Sequence, residues 1–229
     1  MNRFAIILCL AAAAGCAQTA EQARPSITVE TTAVSQYLWR GTVLNDSPSV
    51  QPGVTVEYRG FSVMSWSNFS RTVPNHQAWT EHDLCLEYSH EAGDFTLSAG
   101  FLDYRFPDLT HAEGNRTTEV SLGVAYKNYL SPTFKVYKDV SLGRGYYHAL
   151  GFSHSYGMRH GLALTPAVTL GVNQHMYQPA TTVSDVDFGL TLDIPVGNVT
   201  ISPLAMVMTG NRSLFGTHSA FGVKFSYTK

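Results

Sequence analysis

Acidic and basic side chains recur along this chain at alternating positions, interleaved with apolar residues. Glu30, Glu57, Asp83, Glu87, Glu119, Asp185, Asp187 and Asp193 share one side with Arg40, Arg59, Lys135 and Lys224, and their same-side neighbours are mostly Gly, Ala, Ser and Thr. Fixed charges lining an enclosed aqueous path select ions by sign. The excess of carboxylates therefore predicts a pore wall with a mild preference for cations. The same charges can also pair across a narrow bore and close it. A second chemistry is suggested by His148, Ser153 and His154, a hydroxyl and two bases of the kind a lipid hydrolase uses. Parity places Ser153 opposite both histidines, and no Asn or acid sits nearby to orient them.

Other chemistries find less. The 9 histidines are scattered without zinc-ligand spacing. No Gly-rich phosphate loop opens a helix, and no basic-aromatic groove suits nucleic acid. No cofactor or metal is implied, and Cys85 reads as a small wall residue.

The elements that must carry these side chains are strands. Val50, Pro52, Val54, Val56 and Tyr58 alternate with Gln51, Gly53, Thr55, Glu57 and Arg59, and Val186, Phe188, Leu190, Leu192 and Ile194 alternate with Asp185, Asp187, Gly189, Thr191 and Asp193. Period two sustained over six to eleven residues is a strand signal. Twelve strands are predicted, near 27–39, 49–58, 61–70, 81–90, 94–105, 117–127, 133–140, 145–156, 162–173, 184–194, 199–208 and 219–228. Short connections such as Arg59-Gly60 alternate with longer, more polar ones such as Gly41 to Pro48. An even strand number, with short turns at one end and long loops at the other, predicts a closed antiparallel up-and-down transmembrane β-barrel of the bacterial outer membrane.

Composition chooses between a barrel with an oily centre and one with an oily exterior. Charged residues are 14% of the 229, against roughly 25% in soluble domains. The polar face is too poor in charge to coat a soluble barrel, yet its small residues suit a narrow lumen. Aromatics are 12% of the chain. Tyr37, Trp39, Tyr58, Phe61, Tyr88, Phe95, Tyr126, Tyr146, Tyr156 and Tyr227 fall near strand ends, where amphipathic rings form interfacial girdles. On this pattern Tyr37 and Trp39 belong to the outer girdle and Arg40 turns inward. Pro52, Pro166 and Pro203 fall inside predicted strands and lack a donor, so each requires a local break in the ladder.

The first 17 residues read as a secretory signal peptide: Arg3, an apolar run from Phe4 to Ala14, then small residues. Residues 18–25 form a short segment and 26–229 the barrel. Cleavage before Cys16 would give a lipoprotein, since Ala-Gly-Cys resembles a lipoprotein processing site, although Ala13 stands where Leu is usual. No later apolar run is long enough for a transmembrane helix.

The chain also resembles the TorF-type family, whose members are described as outer-membrane porins. The resemblance rests on Ser35-x-Tyr37-x-Trp39-Arg40-Gly41, the Pro-containing strand at Val50 to Val54, Gly60-Phe61 with Trp66-x-Asn68, and Gly100-Phe101-x-x-Tyr104-x-Phe106-Pro107-Asp108. It implies a barrel with a channel role and supplies no catalytic residues. Tyr227 is followed by Thr228-Lys229, a departure from the final aromatic usual in barrels read by the assembly machinery.

Together these readings predict a non-enzymatic porin in the outer membrane of a Gram-negative bacterium, passing small polar solutes by passive diffusion. Its partners would be outer-membrane lipids and lipopolysaccharide, the solutes, and the barrel-assembly machinery during biogenesis, with no nucleic acid. The alternatives are a non-transporting structural barrel, an outer-membrane lipid hydrolase, and a soluble ligand-binding barrel.

Overall fold

The computed structural model describes residues 24–70, 78–110, 114–176, 181–210 and 216–229. The signal peptide, Cys16 and residues 18–23 lie outside the described residues, as do the middles of the longer connections predicted at 71–80, 106–116, 174–183 and 209–218.

The strands are β1 (Ser26–Val34), β2 (Tyr37–Trp39), β3 (Thr42–Asn45), β4 (Ser49–Tyr58), β5 (Phe61–Ser70), β6 (Trp79–Ala92), β7 (Phe95–Arg105), β8 (Arg116–Tyr126), β9 (Thr133–Asp139), β10 (Tyr146–Ser153), β11 (Tyr156–Gly157), β12 (Ala163–Gln174), β13 (Thr181–Val196), β14 (Val199–Gly210) and β15 (Thr217–Thr228). All but β2, β3 and β11 form one closed ring of 12 antiparallel strands, in the order β1, β4 to β10, β12 to β15. Two pairings make the closure. β10 pairs β12 from Tyr147↔Asn173 to Ser153↔Ala167, and β1 pairs β15 from Thr28↔Thr228 to Val34↔Gly222. Ile27 and Lys229 exchange both backbone hydrogen bonds at 2.9 Å, so the two end strands are joined down to the short-turn rim.

The pleat sorts side chains as the alternation requires. Along β4, Val50, Val54, Val56 and Tyr58 are exposed while Gln51 and Gly53 are buried. Leu84, Leu86, Phe101, Leu122, Phe188, Leu190 and Phe221 likewise face outward, and Asp83, Glu119, Ser121, Asp185 and Ser202 are buried inward. An aromatic belt surrounds the short-turn rim. Phe61 packs on Tyr88 at 4.7 Å and Phe95 on Tyr126 at 4.9 Å between ring centroids, and the Tyr129 and Tyr156 hydroxyls meet at 3.1 Å. Near the opposite rim, Phe69 stacks on Trp79.

Pro52, Pro166 and Pro203, the three prolines predicted inside strands, all point outward; a fourth, Pro195, lies at the end of β13 beside its turn. At Pro52 the β4–β5 ladder passes from Val50↔Phe69 to Gly53↔Trp66, and Gln51 Nε2 donates to Asn68 Oδ1 at 3.0 Å on the lumen side. At Pro203 the β13–β14 ladder passes from Thr191↔Leu204 to Ile194↔Ile201, and Ser202 Oγ donates to Asp193 Oδ1 at 2.6 Å. Pro166 lies opposite the break between β10 and β11, where its carbonyl accepts from the His154 N–H. The predicted eighth strand, 145–156, is therefore interrupted, because Pro166 offers it no donor.

The first predicted strand differs more. It leaves the wall after Val34 rather than running to Trp39. Ser35 still exchanges backbone and side-chain bonds with Phe221, and the chain then folds into the bore as the β2–β3 hairpin. Tyr37 and Trp39 are buried inside the barrel. Their placement in the outer girdle is corrected here: the alternation that put them outward ends where the chain departs from the sheet.

The outward orientation of the apolar face has a direct test. Leu122, 69% exposed at the centre of β8, should lie near the bilayer midplane. Leu122→Arg is expected to destabilise the barrel by about 2–4 kcal/mol in lipid vesicles, the cost of a cation on a lipid face. Urea titration of vesicle-reconstituted protein measures it; no loss would place this face in water.

Candidate functional site

The site is built around the β2–β3 hairpin. Its two-residue turn is Arg40-Gly41, with φ of 42° and 84°. Two consecutive positive φ values match the right-handed twist of tight hairpins, and Gly at the second position is their usual signature. The backbone at Gly41 abuts β13: a Cβ there would stand 2.7 Å from the Ser184 carbonyl oxygen. From this tip the Arg40 side chain reaches across the bore to Glu119 on β8. On one flank Tyr37 and Trp39 pack with Trp66 and Tyr104. On the other, Leu38 packs with Met206, Met208 and Ala220. Wall strands β5, β7, β13, β14 and β15 hold the hairpin.

Arg40 is the centre of the arrangement. Its Nη1 donates to Glu119 Oε1 at 2.8 Å and its Nη2 to Glu119 Oε2 at 3.1 Å, a two-pronged ion pair with both partners buried. Tyr104 Oη donates to Glu119 Oε2 at 2.9 Å. The guanidinium carbon lies 4.3 Å from the ring centroids of Tyr137 and Tyr147 and 4.6 Å from that of Trp39. Such contacts reach about 2 kcal/mol when water is excluded. Tyr147 in turn donates to Asp185 Oδ2 at 2.9 Å, and Ser184 Oγ donates to Asp185 Oδ1 at 2.6 Å. Gly171 makes room for this, since a Cβ there would lie 2.3 Å from the Tyr147 hydroxyl.

Toward the short-turn rim the lumen is less filled. Glu57, Glu87, Lys135, Asp193 and Lys224 are half-buried on the inner wall. Lys135 forms an ion pair with Glu87, and its stem lies close over Gly123 while Glu87 lies close to Gly100. Bare glycines on β7 and β8 let the pair span the wall between β6 and β9.

The structure thus brings Arg40 and Glu119 into one site with Asp185 beside them, and buries Glu30, Asp83 and Asp187 on the wall. Arg59 is a correction. It is exposed at the first position of the β4–β5 turn, with φ of 49°, and lies over the Tyr58 ring at 5.1 Å, outside the lumen wall. Continued strand parity placed it inward, but the chain reverses there. Ser153 faces inward, whereas His148 hydrogen-bonds Gln174 and His154 stacks on Tyr129 outside, so the hydrolase cluster is not assembled.

The residues missed from sequence are Tyr37, Trp39, Tyr104, Tyr137 and Tyr147, the rings around Arg40. One signal is present: Trp39-Arg40-Gly41 repeats the pattern Tyr58-Arg59-Gly60, which marks a short connection between strands.

The ring and its strand number define the fold of an outer-membrane porin. Solved structures of the NanC porin (TM-score 0.59, 11% identity, 88% of this chain and 98% of that one) and the KdgM porin (TM-score 0.57, 12% identity, 87% and 98%) share it. KdgM in complex with disordered oligogalacturonate aligns similarly, at TM-score 0.56 and 13% identity over 88% and 98%. None of the curated proteins matches the sequence. Residues 19–202 match the family described as "Bacterial protein of unknown function (Gcw_chp)", and the chain belongs to that family.

The buried ion pair predicts strong coupling. Glu119→Gln, which leaves Arg40 a buried cation with a neutral partner, is expected to cost about 3–5 kcal/mol of barrel stability. The Arg40→Ala/Glu119→Ala double variant should lose much less than the sum of the two single changes, as read from a double-mutant cycle of urea unfolding in vesicles.

Proposed function

We propose that this chain is an outer-membrane channel of the TorF type, passing small polar solutes down their gradients with a preference for cations, and constricted by the β2–β3 hairpin. The observation that carries the reading is the distribution of charge. The outer wall is apolar, while among the described residues the inward carboxylates Glu30, Glu57, Glu81, Asp83, Glu87, Glu119, Asp185, Asp187 and Asp193 outnumber the inward cations Arg40, Lys135 and Lys224. Fixed charge of one sign along a confined path attracts counter-ions and repels co-ions. A polyanion such as the oligogalacturonate of the KdgM complex would suit this wall poorly, so the solute class differs although the barrel is alike.

Outer-membrane lipids and lipopolysaccharide would surround the apolar band, with the aromatic belt at the interface. The barrel-assembly machinery would insert the chain after export by its signal peptide. A second reading, a plugged structural barrel, is favoured by one observation: Arg40 at the hairpin tip reaches across the bore to Glu119.

Planar-bilayer recording separates the two. Under a KCl gradient, wild-type protein should show a reversal potential of the sign that marks cation preference. Arg40→Ala should raise unit conductance, and Glu87→Gln with Asp193→Asn should weaken the preference. Absence of current through both the wild type and Arg40→Ala would leave the structural reading in its place.

A further inference from the structure

We propose that the pocket around Arg40 is a recognition site for guanidinium-bearing solutes, which Arg40 itself fills while the hairpin is seated. The proposal rests on the channel reading above and names its solute class.

The pocket is not made by the hairpin. Glu119 stands on β8, Tyr104 on β7, Tyr137 on β9 and Tyr147 on β10, all wall strands; of the groups described around the guanidinium, Trp39 alone belongs to the hairpin. If the hairpin swings out, the wall keeps a carboxylate held by the Tyr104 hydroxyl and two rings lying 4.3 Å from where the cation was. That constellation matches the planar fork and the stacking faces of a guanidinium, and an ammonium matches neither. The site reads only the head of the group. Nη1 and Nη2 make the two bonds to Glu119, while Arg40 Nε is buried with no hydrogen-bond partner among the described residues.

Occupancy and opening are then linked. Withdrawing Arg40 breaks its two-pronged ion pair with Glu119 and leaves the carboxylate without its cation, which opposes opening. A solute that replaces Arg40 removes this penalty. Because it binds only when the hairpin is out, it shifts the population toward the open state. The same contact therefore selects the solute and admits it.

The full-length barrel with Arg40→Ala, reconstituted in vesicles, provides the vacated pocket. Thermal unfolding and tryptophan emission are followed with methylguanidinium or free arginine, and with methylammonium, lysine or potassium. The guanidinium compounds should stabilise this variant and half-saturate at about tenfold lower concentration than the ammonium compounds, and adding Glu119→Gln should abolish the difference. Equal effects of methylammonium or potassium, or no saturable effect, overturn the proposal. Should Arg40→Ala fail to assemble, Arg40→Gly serves instead: glycine suits the positive φ of 42° at this turn position, removes the guanidinium and leaves every wall residue of the pocket in place. These readouts need no current. Guanidinium binding without conductance would remove the channel reading alone, and conductance without guanidinium preference would remove this one alone.

Discussion

Every feature of this molecule depends on one constraint: in hydrocarbon no water is available to a backbone N–H or C=O, so the sheet must close on itself. The closure joins the first and last barrel strands, β1 and β15, and makes β10 pair with β12 across the irregular segment that carries β11. It also explains how three prolines are tolerated. Each points outward and removes one donor. Beside Pro52 and Pro203 a side-chain hydrogen bond on the wet side of the wall ties the strands where the ladder is interrupted. The lumen thus supplies polar groups that the lipid cannot, and the wall can be irregular only because its inner face is polar.

Closure creates a second problem, a bore lined by acids. A hairpin turned inward resolves part of it. Tyr37, Leu38 and Trp39 give the hairpin apolar flanks that dock on Trp66, Tyr104 and the methionines of β14, and its turn delivers a single cation to Glu119. Gly41 is required twice over, by its positive φ and by its approach to Ser184. The same Arg-Gly turn at Arg59-Gly60 sits at the rim with its arginine in solvent. Similar local chemistry therefore gives an outer turn in one place and an inner latch in the other: Tyr58 and Phe61 beside the outer turn face outward, whereas Tyr37, Leu38 and Trp39 bury both flanks of the inner hairpin.

That contrast marks how far the sequence was legible. Period-two alternation sorts each strand's residues into two faces and composition says which face meets lipid, so the wall strands other than the first and the eighth, the outward leucines and phenylalanines and the inward acids could be read directly. The first strand could not be read to its end. Tyr37 and Trp39 keep the alternating pattern after the chain has left the sheet, and a local pattern carries no information about the sheet's edge. Nor could Tyr104, Tyr137 and Tyr147 be distinguished from interfacial tyrosines. Their inward parity was available, but what gathers them is the length of the hairpin and the reach of Arg40 to β8, β9 and β10. Those are long-range distances set by closure.

Among the described residues, two lumen ion pairs join a base to a glutamate, and their surroundings give them different consequences. Lys135 and Glu87 meet toward the short-turn rim, with side chains 17% and 29% exposed. Water competes there, so the pair adds less stability than a fully enclosed one. Arg40 and Glu119 are 5% and 0% exposed. There the attraction is screened little, and separating the partners leaves a buried charge uncompensated. On the proposed channel reading, the first pair would tune the field along the path and the second would hold the hairpin seated in the bore. The difference arises from how completely each pair is enclosed: the first lies partly exposed over Gly100 and Gly123 on the inner wall, and the aromatic rings around Arg40 enclose the second.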